Sequence, residues 1–143
     1  MSDRDLYESD FVRWADEQAA DLRRRANGAD TAIDWLNVAE EIETLARADR
    51  REIRDQLVVL CAHLLKWRLR PDVRLRIAIL EARDKIAELI EESPSLAPYP
   101  AAQLAWAYVR GRREAETDMG LLDLPPECPW AVDHVINHDF WPP

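Results

Sequence analysis

Apolar residues recur at helical spacing through residues 29–70, the longest stretch of the chain that lacks proline and glycine. Steps of three, four or seven between apolar positions line one face of an α-helix. Asp34 is a suitable N-cap, and Pro71 requires the helix to end before it. The pattern predicts a helix over residues 35–69, about 50 Å long, as the central strut of a bundle. Its predicted inward face comprises Ala39, Ile42, Leu45, Ala46, Ile53, Leu57, Leu60, Leu64 and Trp67.

This apolar face has one gap, because residues 47–52 include no apolar side chain larger than Ala48. Such a gap fits either a helix that passes through solvent or a helix that is kinked. The gap contains no proline or glycine, which are the usual causes of a kink. We therefore expect a continuous helix.

Proline and glycine separate the other periodic segments. All nine prolines and two of the three glycines, Gly28 and Gly120, lie where helices are expected to begin or end. Helices are predicted at about residues 10–27, 35–69, 72–92, 101–119 and 130–138, with Gly28 as the C′ residue of the first. No segment alternates with period two over the length of a strand. The predicted fold is an all-α, single-domain bundle of about five helices around one long central helix.

The shorter helices show apolar faces of their own. The first presents Phe11, Trp14, Ala15, Gln18 and Leu22, and the third presents Val73, Ile77, Leu80, Ile86, Leu89 and Ile90. The fourth presents Leu104, Ala107, Tyr108, Ala115 and Met119, and the fifth presents Val132, Val135 and Ile136. Most of the six tryptophans fall on such faces and are expected to anchor the core rather than to line a ligand site.

Length and cysteine usage limit the class of protein. A chain of 143 residues and 16.6 kDa can bury a substantial core without disulfides. Cys61 and Cys128 form no CxxC motif and have no histidine at zinc-finger spacing, which favours a reducing compartment. The chain has no apolar run of even ten residues and no signal-peptide pattern. We predict a cytoplasmic protein that does not contact membranes.

The net charge of −9 is unevenly distributed. Residues 1–43 and 77–143 each carry a net charge of −7, whereas residues 44–76 carry +5. We expect acidic helices to neutralise the basic one, although a patch open to phosphate or to an acidic partner is the alternative. The five bases of that patch are Lys66, Arg68, Arg70, Arg74 and Arg76. Only Trp67 interleaves with them, too little for a base-stacking platform, so nucleic-acid binding stays the minority hypothesis.

Glu40, Glu41, Glu43 and His63 are the candidate metal ligands, because carboxylates and imidazole in a helical bundle can hold iron, manganese or zinc. On one continuous helix Glu40 and His63 would lie roughly 35 Å apart. The chain also lacks the Glu-x-x-His pair of di-iron bundles. We therefore predict no metal and no cofactor, and we expect an exposed acidic face in which Glu43 pairs with Arg47.

Cys128 and His63 are the candidate catalytic residues. Cys128 precedes Pro129 at the predicted N-cap of the last helix, where the helix dipole favours a thiolate, and His134 and His138 follow it. A Cys–His pair would allow a thiol hydrolase or a redox sensor, whereas the competing interpretation is a small capping residue. His63, next to Lys66 and Trp67 on a mostly apolar face, is either a packed histidine or a proton donor.

The order of several short motifs resembles the bacterial family catalogued as domain of unknown function 29. The motifs are YESDFVRWADEQ (7–18), NVAEEIETLARADRREI (37–53), HLLKW (63–67), Arg83, SPSL (93–96), Ala107-Tyr108, Glu116-Thr117, PPECPW (125–130) and HDFWP (138–142). One departure is Arg74-Leu75-Arg76, where the family pattern has a Ser-Trp pair. The resemblance implies a small, all-helical bacterial protein with no assigned activity.

The function predicted from these observations is a non-enzymatic protein-interaction module that binds a protein partner or a second copy of itself. No motif of established catalytic geometry is present, and a long strut with segregated charge suits association. Two alternatives stay open. One is a nucleic-acid or phosphate binder through residues 66–76, and the other is a thiol- or metal-dependent enzyme using Cys128 or Glu40, Glu43 and His63.

Overall fold

The computed structural model describes residues 2–27, 32–120 and 123–143, which form six α-helices and no strand. The helices are α1 (Asp3–Ser9), α2 (Phe11–Ala26), α3 (Trp35–Leu69), α4 (Val73–Glu92), α5 (Tyr99–Met119) and α6 (Val132–Ile136), with a 3₁₀ turn at Pro94–Leu96. The all-α fold with one long central helix is therefore confirmed. The prediction lacked α1, and the expected C′ position of Gly28 lies outside the described residues.

The helix ends follow local capping chemistry. The Ser2 hydroxyl accepts a hydrogen bond from the Asp5 amide at 3.2 Å, and this capping box starts a helix too short to show apolar periodicity. Asp34 accepts from the Asn37 amide at 3.2 Å, which confirms it as the cap of α3. Asp72 accepts from the Leu75 amide at 3.0 Å at the start of α4. Gly120, with φ of 66°, ends α5 in the left-handed conformation that glycine favours.

Helix α3 is continuous through residues 47–52, as expected. The chain divides into two compact units, the first formed by Met1–Arg51 with Leu89–Ala97 and the second by Glu52–Glu88 with Pro98–Pro143. Helices α3 and α4 each contribute to both units. The division in α3 falls inside the apolar gap that the sequence shows, so the gap coincides with the boundary between the two units.

In the first unit, the Ser93–Ser95 turn holds the start of α2. Asp10, which is buried, accepts hydrogen bonds from the Ser95 amide at 2.7 Å and the Ser95 hydroxyl at 2.8 Å. The Ser93 hydroxyl accepts from the Val12 amide at 3.1 Å. The side of α2 that faces the core differs from the predicted one. Val12, Ala15 and Ala19 are buried, and of these only Ala15 was predicted to face the core. Of the other residues predicted to face the core, Phe11, Trp14, Gln18 and Leu22 are only half-buried.

The second unit contains most of the large buried side chains. From α3 these are Ile53, Leu57, Leu60, Leu64 and Leu65, and from α4 they are Ile79 and Ile86. The prediction for α4 was wrong at its first two turns, since Val73 and Ile77 are exposed while Ile79 and Ala82 are buried. All six tryptophans, which were mostly expected in the core, are half-buried.

Candidate functional site

Two cysteines that are far apart in the sequence lie together in the second unit. Cys61 is fully buried on α3, and Cys128 is half-buried in the loop between α5 and α6. Both are free cysteines, and Cys128 packs against the buried apolar cluster that contains Cys61. The cluster around them comprises Leu65, Tyr108, Ala115 and Leu124, with Leu104 and Trp130 packed against it. The structure therefore forms a thiol pair in apolar surroundings, which we call the thiol pair below.

The loop that carries Cys128 is fixed by hydrogen bonds. The Tyr108 hydroxyl donates to the Pro125 carbonyl oxygen at 2.7 Å, which ties the loop to α5. The protonated Cys128 thiol donates to the Trp130 carbonyl oxygen at 3.3 Å. On the opposite side, Gly111 of α5 faces Cys61 so closely that a Cβ at position 111 would lie 2.7 Å from the Cβ of Cys61. The Cys61 Cβ is thus packed against α5, and the Cys128 thiol is held by the Trp130 carbonyl oxygen.

The hydrogen bond between the thiols moves their pKa values in opposite directions. It stabilises the Cys128 thiolate and lowers the pKa of Cys128 to about 7, although burial opposes the change. The same hydrogen bond and burial raise the pKa of Cys61 well above its ordinary value. Burial also raises the pKa of Tyr108 to about 12. At neutral pH a substantial fraction of Cys128 is thiolate, and Cys61 is the S–H donor.

The position of Cys128 differs from the sequence prediction. It is not the N-cap of the last helix, because α6 begins at Val132 with Ala131 as its cap. The thiolate is favoured by Cys61 rather than by a helix dipole. The predicted Cys–His pair does not form among the described residues. His134 stacks on Phe140 with ring centroids 4.7 Å apart, and the second histidine, His138, pairs with a carboxylate of α4.

That second histidine, His138, lies beyond the end of α6, which stops at Ile136. Its Nε2 is 2.6 Å from Oδ1 of Asp84 on α4. The segment predicted as helix to residue 138 therefore ends two residues earlier, and a side-chain contact to α4 holds the residues beyond the helix. A thiol hydrolase that uses Cys128 with either histidine is not supported by this arrangement.

His63 is half-buried on α3, where burial first and Lys66 second lower its pKa. Lys66 forms an ion pair with Asp118 of α5. A histidine with a lowered pKa is neutral at pH 7, which disfavours the role of proton donor. The geometry is closer to the packed histidine that the sequence also allowed.

Two of the acidic metal candidates on α3, Glu40 and Glu43, form ion pairs with arginines. Arg23 lies 3.4 Å from Glu40 and 2.5 Å from Glu43, and Arg47 lies 2.5 Å from Glu40. Arg47 therefore pairs two turns back rather than with Glu43, its expected partner. Within the described ranges, no three histidine, cysteine, aspartate or glutamate side chains are grouped so as to hold a metal ion. The structure does not bring His63, in the second unit, into this arginine-paired group.

The basic segment is neutralised only in part. Lys66 pairs with Asp118, and the guanidinium of Arg76 lies 5.0 Å from the Trp141 ring centroid. Outside the segment, Arg50 of α3 pairs with Asp16 at 2.5 Å, as expected for acidic helices beside a basic one. The remaining three bases, Arg68, Arg70 and Arg74, are exposed. None of them forms an ion pair within 4 Å among the described residues, although the pKa of Asp72 between them is lowered by the Leu75 amide and, to a smaller extent, by Arg74 and Arg70.

Apolar side chains project outward beside these arginines. Val73 and Ile77 are 69% and 52% exposed on α4, one helical turn apart and opposite its buried side. Leu69, the last residue of α3, is 48% exposed. We call Leu69, Val73 and Ile77, with Arg68, Arg70 and Arg74, the basic face.

A second outward surface lies on the first half of α3. Leu45, which was predicted to face the core, is 55% exposed, and Val38 is 39% exposed. The two residues are two turns apart, and the exposed Glu41 lies between them on the same side of the helix. We call Val38, Glu41 and Leu45 the acidic face.

Arg83 is the buried charge that sequence reasoning did not single out for a role. It is 1% exposed, and its Nε donates to the Val135 carbonyl oxygen at 2.9 Å. Its guanidinium lies 5.3 Å from the Trp141 ring, and burial lowers its pKa to about 10. Arg83 therefore anchors α6 and the C-terminal segment to α4. The only signal in the sequence is that Arg83 is one of the residues that carry the family resemblance.

Comparison with known proteins agrees with this fold. The model of the family described as domain of unknown function DUF29 matches residues 6–141. The crystal structure of an alpha-helical protein of unknown function from Rhodospirillum rubrum ATCC 11170 superposes with a TM-score of 0.76. At 21% identity over 94% of this chain and 90% of that one, the likeness shows the fold alone. No curated protein matches the chain. Among the described residues, no helix has the length and apolar character needed to span a membrane.

Proposed function

This chain belongs to the family described as domain of unknown function DUF29, and we propose that it is a non-enzymatic protein-interaction module that self-associates. The observation that carries the proposal is the outward pair Val73 and Ile77 on α4, at 69% and 52% exposure, beside Arg74. Large aliphatic side chains grouped on an exposed helix turn, with charged residues around them, are typical of interaction surfaces.

A second copy of the chain is the partner whose chemistry fits best. The basic face offers aliphatic side chains with three arginines that have no ion pair among the described residues. The acidic face offers aliphatic side chains around Glu41. Contact between the basic face of one copy and the acidic face of another would bury apolar area and pair opposite charges. Because two different surfaces meet, such contacts either close into a ring or extend.

Sedimentation velocity over a range of protein concentrations tests this proposal. We expect the weight-average mass to rise above the 16.6 kDa of a single chain as concentration increases. We also expect added salt to weaken association, because it screens the attraction between the two faces. The double variant Val73→Gln/Ile77→Gln should remain a monomer at every concentration.

Val109→Gln is the matched control, since Val109 is also an exposed aliphatic residue, at 45%, but lies on α5 outside both faces. It should associate like the unmodified chain. Arg74→Glu should weaken association, and adding Glu41→Arg in the same chain should restore it. An unmodified chain that stays a monomer throughout, or a Val109→Gln variant as impaired as the double variant, would contradict the proposal.

The exposed arginines Arg68, Arg70 and Arg74 favour one second candidate, a phosphate or nucleic-acid binder through residues 66–76. Its test is the fluorescence anisotropy of labelled single-stranded RNA at physiological salt. We expect no binding, because acidic segments flank the basic one and the net charge is −9. A salt-dependent signal that Arg68→Glu/Arg70→Glu abolishes would instead establish this second function.

We further infer a cytoplasmic location. The inference is supported by cysteine usage, since the chain has two cysteines that are 67 positions apart and form no CxxC motif. Thiol titration of the protein directly after extraction with an alkylating agent tests this point.

A further inference from the structure

We propose that the thiol pair is a site of reversible oxidation by hydroperoxides, in which Cys128 is oxidised first and Cys61 then converts it to a disulfide. This inference is independent of self-association, because it concerns a cluster within the second unit. The site is a pair with distinct environments rather than a lone cysteine. Cys128 is half-buried, whereas Cys61 is fully buried.

Access and contact assign the two roles. Cys128 is half-buried, so its sulfur can be reached by a small oxidant, whereas Cys61 is fully buried. Cys128 packs against the apolar cluster that contains Cys61, so the second thiol lies near the first before any reaction occurs. The accessible thiol is therefore the peroxidatic one, and the buried thiol is the resolving one.

The chemistry needs only a hydroperoxide as oxidant. The Cys128 thiolate attacks one oxygen of hydrogen peroxide, the O–O bond breaks, and hydroxide takes up a proton and leaves as water. Sulfur is oxidised to sulfenic acid while the peroxide is reduced. The Cys61 sulfur then attacks the Cys128 sulfur, the S–O bond breaks, and the departing hydroxide leaves as water with the Cys61 proton. A dithiol reductant reverses the disulfide by thiol–disulfide exchange.

The environment of Cys61 sets the order of these events. Because its hydrogen bond and burial raise the pKa of Cys61, the resolving step has little thiolate to use and is slowed. The sulfenic acid on Cys128 should persist long enough to be trapped. The hydrogen bond that Cys61 donates also favours the thiolate of Cys128, so removal of this donor should raise the pKa of Cys128.

The test treats folded protein with one equivalent of hydrogen peroxide and follows intact mass and free thiols. The unmodified chain should lose both thiols together and the mass of two hydrogen atoms, without forming intermolecular disulfides, and dithiothreitol should restore it. Cys61→Ser should stop at sulfenic acid on Cys128, captured as a dimedone adduct. Cys128→Ser should keep its remaining thiol. If Cys128→Ser consumed peroxide as fast as the unmodified chain, the proposal would be wrong.

A second measurement begins with the unmodified chain. Alkylation by iodoacetamide is read by peptide mass. The rate of Cys128 modification should rise with pH with a midpoint of about 7, and Cys61 should stay unmodified. Cys61→Ala should raise that midpoint, and Cys61→Ser, which keeps a donor, should raise it less. Equal and slow labelling of both cysteines in the unmodified chain would overturn the assignment of the two roles.

Discussion

Gly111→Ala separates helix propensity from packing, because the two effects act in opposite directions at this position. Gly111 lies in the interior of α5, where alanine favours the helix by about 1 kcal/mol over glycine. The structure predicts destabilisation instead. A Cβ at position 111 would lie 2.7 Å from the Cys61 Cβ and 2.8 Å from both the Ala62 amide nitrogen and the Val58 carbonyl oxygen.

The expected magnitude depends on how far those three atoms can move. Two are backbone atoms of α3, so no change of rotamer relieves the contact, and the helices must separate. Overpacking of a tightly packed interior costs about 1 to 3 kcal/mol, and three simultaneous contacts favour the upper end of that range. After the propensity gain of about 1 kcal/mol is subtracted, the variant should lose about 1 to 2 kcal/mol of unfolding free energy.

Urea unfolding followed by far-UV circular dichroism measures this difference. Gly111→Ala should lower the midpoint while leaving the dependence of free energy on urea unchanged. Ala105→Gly is the control, because Ala105 is exposed on the same helix and reports propensity alone, with an expected loss of about 1 kcal/mol. A Gly111→Ala midpoint above that of the unmodified chain would refute the close approach of α5 to α3.

Three further outcomes are expected. Leu60→Ala and Leu64→Ala should each lower the free energy of unfolding by about 2 to 5 kcal/mol, because both side chains are fully buried on α3 and truncation leaves a cavity. Unchanged urea midpoints would contradict the burial of these two side chains. Tyr108→Phe should cost about 1 kcal/mol by leaving the Pro125 carbonyl without its donor, and thermal unfolding at matched pH checks it. The two units should unfold in one transition because α3 and α4 run through both, so tryptophan fluorescence and circular dichroism should give coincident urea curves.

The sequence alone determined the helical class, the length of α3 and several of its ends. A periodic stretch free of proline and glycine has no competing local structure, and Asp34 and Gly120 satisfy backbone groups within one turn of themselves. These features depend on residues at most a few positions apart. That is why they can be read without knowledge of the fold.

Which side of a helix faces inward was decided by tertiary structure. In α4 the residues Val73 and Ile77 have helical spacing, and so do Ile79, Ala82 and Ile86, which are the ones buried. Two apolar stripes on one helix give the sequence no basis for choosing between them. Packing buries one stripe, and the other becomes part of the basic face.

The candidate site was beyond local sequence reasoning for the same reason. Cys128 was singled out for a helix dipole that the structure does not provide, since α6 begins only at Val132. Its lowered pKa comes from Cys61, a residue of α3 whose neighbours in sequence carry no sign of that partner. Helix ends depend on nearby residues, whereas the pKa of a thiol depends on whatever packing brings within hydrogen-bonding distance, and only the folded chain supplies that.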